Sequence, residues 1–121
     1  MAPMISVVDD DESVRESLPA LLRACGFAVE TFSSAEAFLS SELLHRTDCL
    51  ILDIAMPGMS GIDLQRRLAI DGHSIPIVFI TAHGDDDVRP RLLQKGAVEC
   101  LFKPFTGAAL MGAVKTALRP E

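Results

Sequence analysis

Apolar residues recur along this chain in two alternating rhythms. Short runs at residues 4–8, 28–32, 49–52, 77–80 and 98–102 read as strands. None alternates strictly between polar and apolar positions, as expected of strands covered on both faces. Between the runs the spacing turns helical. Val14, Leu18, Leu21, Leu22 and Cys25 fall at i, i+4, i+7, i+8 and i+11, which is one apolar helical face, and Gly26 follows as a C-terminal cap. A second helix opens with Ser33-x-x-Glu36, a capping-box pattern, and carries Phe38 and Leu39. The third opens at Ser60 and buries Leu64 and Leu68. The fourth follows Asp85-Asp86-Asp87, carries Val88, Leu92 and Leu93, and ends at Gly96. The fifth opens near Thr106 and carries Leu110, Met111, Val114 and Leu118.

Two prolines modify this pattern. Pro90 falls in the first turn of the fourth helix, where a missing N–H costs little. Pro19 falls mid-helix, where it removes a backbone bond and crowds residue 15 at a cost of about 3 kcal/mol in a regular helix. A kink is expected there. Successive βα units imply parallel strands joined by right-handed crossovers, so the expected fold is α/β, a doubly wound three-layer sandwich. In such sheets the ligand site lies at the carboxyl ends of the strands, beside the switch point in strand order.

That rule selects particular residues. Asp9, Asp10 and Asp11 follow the first strand, Asp53 the third, Thr81 the fourth and Lys103 the fifth. Carboxylates gathered at one sheet edge repel, and without a cation at least one would have its pKa raised. A hard divalent ion such as Mg²⁺ resolves the repulsion, because it takes oxygen ligands octahedrally. Lys103 adds a positive charge and Thr81 a hydroxyl donor, together suited to hold phosphoryl oxygens. An aspartate attacking phosphorus yields an acyl phosphate. Asp-rich loops after strands are commonly caps or turns, and Asp11 and Glu12 read that way. A lone Asp, Thr or Lys would carry little weight. What raises Asp9, Asp10, Asp53, Thr81 and Lys103 above that is that each falls at a strand end.

Composition narrows the classes. The chain has 121 residues, one ordinary domain spanning 1–121, with 49% hydrophobic residues. No apolar run approaches the roughly 20 residues of a membrane span. The net charge is −6 and the arginines are scattered, which argues against direct nucleic-acid contact. The three cysteines, Cys25, Cys49 and Cys100, have no zinc-like spacing and each sits in an apolar segment. They read as reduced, mostly buried thiols of a cytoplasmic protein.

Four segments together resemble the motifs of bacterial two-component response-regulator receiver domains: Val7-Val8-Asp9-Asp10-Asp11-Glu12, Leu52-Asp53-Ile54-Ala55-Met56-Pro57-Gly58-Met59-Ser60-Gly61, Ile80-Thr81-Ala82-His83-Gly84 and Phe102-Lys103-Pro104-Phe105. The resemblance covers essentially the whole chain. Its Thr-x-His-Gly and Lys-Pro-Phe segments look most like the FixJ-type branch, whose receivers usually precede a helix-turn-helix output domain. It implies a CheY-like, flavodoxin-like sheet of five strands in the order 2-1-3-4-5 with five helices. It implies Asp53 as phosphoacceptor, Mg²⁺ (or Mn²⁺ or Ca²⁺) bound directly by Asp10 and Asp53, Asp9 assisting, and the Ala55 carbonyl as a further ligand. Thr81 and Lys103 would contact the phosphoryl oxygens, with Lys103–Pro104 a cis peptide. Met56-Pro57-Gly58-Met59 reads as a tight turn with Gly58 at positive φ.

The implied partner is a histidine kinase. The implied output is transcription, through a phosphorylation-dependent homodimer on the face of helix four, strand five and helix five. Two departures stand out. Cys100 occupies the position, three before the motif lysine, where the family usually has an aromatic. His83 stands two places after Thr81, where it would either tune water access or be a solvated loop residue. Two rival readings are weaker. A phosphatase or mutase with an Asp nucleophile needs a second acid where Ala55 stands, and a module that has lost phosphorylation would not keep all five site residues. The chain closes on Leu118-Arg119-Pro120-Glu121, which suits either a single-domain regulator or a receiver followed by an output domain.

Overall fold

Alternation along the strands sends side chains into two separate cores. In the computed structural model, which describes residues 2–82, 84 and 87–119, the strands are β1 (Met4–Val8), β2 (Ala28–Phe32), β3 (Cys49–Asp53), β4 (Ile77–Thr81) and β5 (Glu99–Phe102). All pair in parallel, in the order β2-β1-β3-β4-β5. The connections carry α1 (Glu12–Ala24), α2 (Ala35–Leu39), α3 (Gly61–Ile70), α4 (Val88–Gln94) and α5 (Gly107–Ala117). Val8, Leu50, Leu52, Phe79 and Cys100 pack against Phe38 of α2, Leu64 and Leu68 of α3 and Leu92 of α4. Their neighbours Ile5, Val7, Ile51, Val78 and Ile80 pack against Leu18 and Leu22 of α1 and Leu110 and Val114 of α5. The doubly wound sandwich follows, with the sheet dry on both faces through its centre. Among the described residues no helix is long and apolar enough to cross a membrane.

The helix ends follow local chemistry. Ser60 caps α3 with a complete capping box: its Oγ accepts from the Asp63 N–H, and Asp63 accepts in return from the Ser60 N–H. Thr106 caps α5 and Asp11 caps α1. Gly26 and Gly58 take the positive φ values of 93° and 75° expected of a helix end and a tight turn. Helical structure continues across Pro19, whose ring is buried.

Several sequence expectations shift. α2 is capped by Ser34, not Ser33, because Ser34 holds the extended backbone and its hydroxyl accepts from Ala37. A 3-10 helix at Glu42–Arg46 has no counterpart in the sequence reading; it buries Leu44 alone and is too short to show a period. Both β3 and β4 extend one residue further than expected, so Asp53 and Thr81 are themselves ladder residues. β5 starts at Glu99, and as an edge strand it is not covered throughout: Phe102 is 41% exposed. Cys25 is exposed rather than buried. It lies past the last turn of α1 as the C-cap, at φ −91° and ψ 6°, so it leaves the helical period that the other apolar residues share.

The thiols should therefore separate cleanly. Burial, with a smaller push from Asp48, raises the Cys49 pKa to about 12, and burial raises that of Cys100. In the native protein an alkylating reagent at pH 8 should modify Cys25 quickly and the other two only after unfolding, read by intact mass and peptide mapping. Native Cys49 reacting as fast as Cys25 would contradict the buried placement of β3.

Candidate functional site

The strand register gathers the chemistry. Val8 of β1 pairs with Leu52 of β3, so Asp9 and Asp53, each the next residue, arrive side by side. Asp53 pairs with Ile80 and Thr81 with Phe102, so Thr81 and Lys103 follow one step further along the same edge. One oxygen from each of Asp9, Asp10 and Asp53 lies within 4.8 Å of the others. Asp9 is fully buried, Asp53 is 5% exposed and Asp10 is open to solvent.

Asp9 is held at every polar group. Its N–H donates to the Phe32 carbonyl at 3.1 Å, and its carbonyl accepts from Arg15 Nη1 at 2.8 Å. Its Oδ1 accepts from the Asp11 N–H at 2.9 Å, and its Oδ2 accepts from Lys103 Nζ at 2.8 Å. Lys103 is mostly enclosed. Burial alone would lower its pKa, but the bond to Asp9 and the charges of Asp9, Asp53 and Asp11 outweigh that and raise it. It remains an ammonium group.

Asp53 lacks comparable support. Burial first, and then the adjacent Asp9 charge, raise its pKa from the ordinary 3.8 to about 7, although Lys103 opposes the shift. This is the frustrated carboxylate that crowding demands. Three carboxylates, one of them open to solvent, suit a hard divalent cation with oxygen ligands, and among the described residues no sulfur or imidazole joins the group. The residues present therefore fit Mg²⁺.

The remaining residues divide. Thr81 is fully buried at the end of β4. Ala55 lies two residues past Asp53, exposed on the loop to α3. Lys103–Pro104 is a cis peptide, as expected. His83, Asp85 and Asp86 lie outside the described residues. Two residues that shape the site have no role in the sequence reading. At Gly61 a Cβ would collide with the Asp53 carbonyl, so only glycine lets α3 begin against the end of β3. Arg15 has no signature, since an arginine one turn into a helix usually faces solvent. A depression of about 960 Å³ lined by Pro3, Met4, Arg46, Asp48 and Leu118 lies at the opposite end of the sheet, away from all these groups.

The family model for the response regulator receiver domain matches residues 5–115. The chain belongs to that family. The receiver domain is 47% identical over 116 residues to the response regulator protein TmoT of Ectopseudomonas mendocina, covering 96% of this chain and 53% of TmoT. It is 39% identical over 114 residues to the transcriptional regulatory protein FixJ of Azorhizobium caulinodans, covering 94% of this chain and 54% of FixJ. The crystal structure of FixJ-N superposes with a TM-score of 0.85 at 37% identity, covering 98% of this chain and 94% of that one. The receiver domain spans about half the length of the curated relatives it matches.

The raised pKa of Asp53 fixes a pH dependence. The folded state holds a proton that the unfolded chain has released above about 3.8, so between there and about 7 folding binds protons and stability falls as pH rises. Urea melts of the metal-free receiver domain should show the difference between parent and Asp53→Asn growing in favour of the variant from pH 5 to pH 8. Mg²⁺ should stabilise the parent most at the upper end. A constant difference across that range would mean that Asp53 titrates normally.

Proposed function

We propose that Asp53 is the phosphoacceptor of a two-component switch whose phosphodonor is a histidine kinase. The observation that supports it is the convergence of Asp9, Asp10 and Asp53 beside an ammonium group already paired with Asp9. An Asp53 carboxylate oxygen attacks the phosphorus of a phosphohistidine. The P–N bond breaks, its electron pair returns to the imidazole, and an acyl phosphate forms on Asp53. Bound by Asp10 and Asp53, with Asp9 and the Ala55 carbonyl assisting, Mg²⁺ supplies charge neutralisation for the carboxylates and the incoming phosphoryl oxygens. Lys103 exchanges Asp9 for a phosphoryl oxygen, and the Thr81 hydroxyl donates to another. Water later hydrolyses the acyl phosphate. The domain thus assists its own phosphorylation and dephosphorylation and otherwise acts as a switch.

The new charge biases an equilibrium between two conformations. In this reading Thr81 draws on the chain leading to α4, and the face of α4, β5 and α5 pairs with a second copy. Cys100 is a packing residue, consistent with its place in the core beside Leu92 and Phe79. Output is transcription, exerted by the whole protein in the cytoplasm, while the acidic receiver domain itself makes no DNA contact.

With Mg²⁺ and acetyl phosphate, the intact mass should rise by one phosphoryl group that is lost at alkaline pH. Asp53→Asn should stay unlabelled at that site; equal labelling of the variant would move the acceptor elsewhere. Asp10→Ala should strongly weaken Mg²⁺ binding, and a melting shift with Mg²⁺ equal to the parent's would refute its role as a ligand.

Phosphorylation should also shift sedimentation from monomer to dimer. Cys100→Ala should keep that shift, whereas Thr81→Ala should lose much of it while still accepting the phosphoryl group. A Cys100→Ala variant that is labelled but stays monomeric would route the relay through β5.

A further inference from the structure

The carboxylates converge only if the turn between β1 and α1 keeps one shape. Four bonds hold Asp9, and three of them have an evident origin: the sheet ladder to Phe32, the local turn to Asp11 and the ion pair with Lys103. The fourth comes from α1, where Arg15 reaches back six residues to the Asp9 carbonyl at 2.8 Å. Arg15 is half-buried, so this bond is shielded from competing water. Its own carbonyl faces position 19 in the helical ladder, and Pro19 has no N–H to donate. The side chain that ties α1 to the site therefore stands where the hydrogen-bond ladder of α1 lacks a rung.

We propose that Arg15 is a positioning residue of this site: by clamping the Asp9 carbonyl it fixes the turn that aims Asp9 and Asp10 at the cation and at Asp53. The inference rests on the phosphoacceptor reading and adds to it the element that holds the metal ligands in place. Arg15 works through geometry. The charges that weigh most on Asp53 are those of Asp9, Lys103 and Asp10. Its role grows when the site is filled. Once Lys103 turns to the phosphoryl oxygens, the Asp9 carboxylate loses that cation, and the restraints that remain are the ladder bond, the Asp11 N–H and Arg15. A planar guanidinium suits such a clamp, because its donors are fixed in direction.

The test uses the full chain. Mg²⁺ titrations by calorimetry, melts with and without Mg²⁺, and acetyl phosphate labelling of Asp53 at saturating Mg²⁺ are compared for the parent, Arg15→Ala, Arg15→Met and Arg15→Lys. Arg15→Met keeps the apolar stem and removes the donors, so it decides the matter if Arg15→Ala folds poorly. Losing an outer-shell partner typically weakens metal binding about 10- to 100-fold. Arg15→Ala and Arg15→Met should lie toward the lower end of that range, with a smaller Mg²⁺-induced melting shift and slower labelling. Arg15→Lys should recover part of both. A purely structural role would lower the metal-free melting temperature and leave the Mg²⁺ affinity, the Mg²⁺-induced shift and the labelling rate at parent values, and that result overturns the proposal. If the parent itself is not labelled on Asp53, the phosphoacceptor reading fails, while the Mg²⁺ titrations still decide the role of Arg15.

Discussion

Carboxylates packed at the end of a dry sheet cannot all remain ionised without help, and the working parts of this domain answer that repulsion. One is neutralised in place: Asp9 is fully buried and bonded to Lys103. One stays in water: Asp10 is exposed. The third, Asp53, is buried beside the Asp9 charge, and its pKa rises to about 7. A divalent ion relieves this state. In the proposed reading a phosphoryl group adds charge to the same place and recruits Lys103 away from the bond that steadies Asp9. On that reading the same electrostatics drive the reaction and make the reacted site different from the resting one.

The scaffold restricts where that change can travel. Asp9 directly follows β1, and Asp53 and Thr81 end β3 and β4, adjoining parallel strands whose side chains interlock with helices on both faces, and such strands do not shift independently. Gly61 brings the start of α3 into contact with the Asp53 backbone, and the Ser60 capping box closes that turn. The freer side is the edge. β5 has one neighbour, Phe102 is its exposed aromatic ring, and that ring lies against Gly84, where even a Cβ would collide. Cys100, two residues earlier on the same face of β5, is instead locked into the core.

Much of this was legible in the sequence because it depends on short-range periodicity. Strand runs, helical faces, the caps at Ser60 and Thr106 and the glycine at position 58 are local signals, and they placed every element of the sheet. The rule that ligands gather at the carboxyl ends of parallel strands then singled out Asp9, Asp10, Asp53, Thr81 and Lys103 without coordinates. Local signals erred where the margin was one residue, as with the α2 cap at Ser34, or where a residue stood past the end of its element, as with the exposed Cys25.

Tertiary structure alone decided the rest. The pairing of Lys103 with Asp9 and the raised pKa of Asp53 join segments that follow different strands, while the reach of Arg15 to the Asp9 carbonyl and the need for glycine at position 61 depend on how a helix packs back on the strand end before it. A sequence states which side chains stand at the end of each strand. It does not state which of two carboxylates a lysine will neutralise, because that depends on register, depth and dielectric once the strands are side by side. The residues of the site were therefore fixed by their order along the chain, and the division of labour among them by packing and charge.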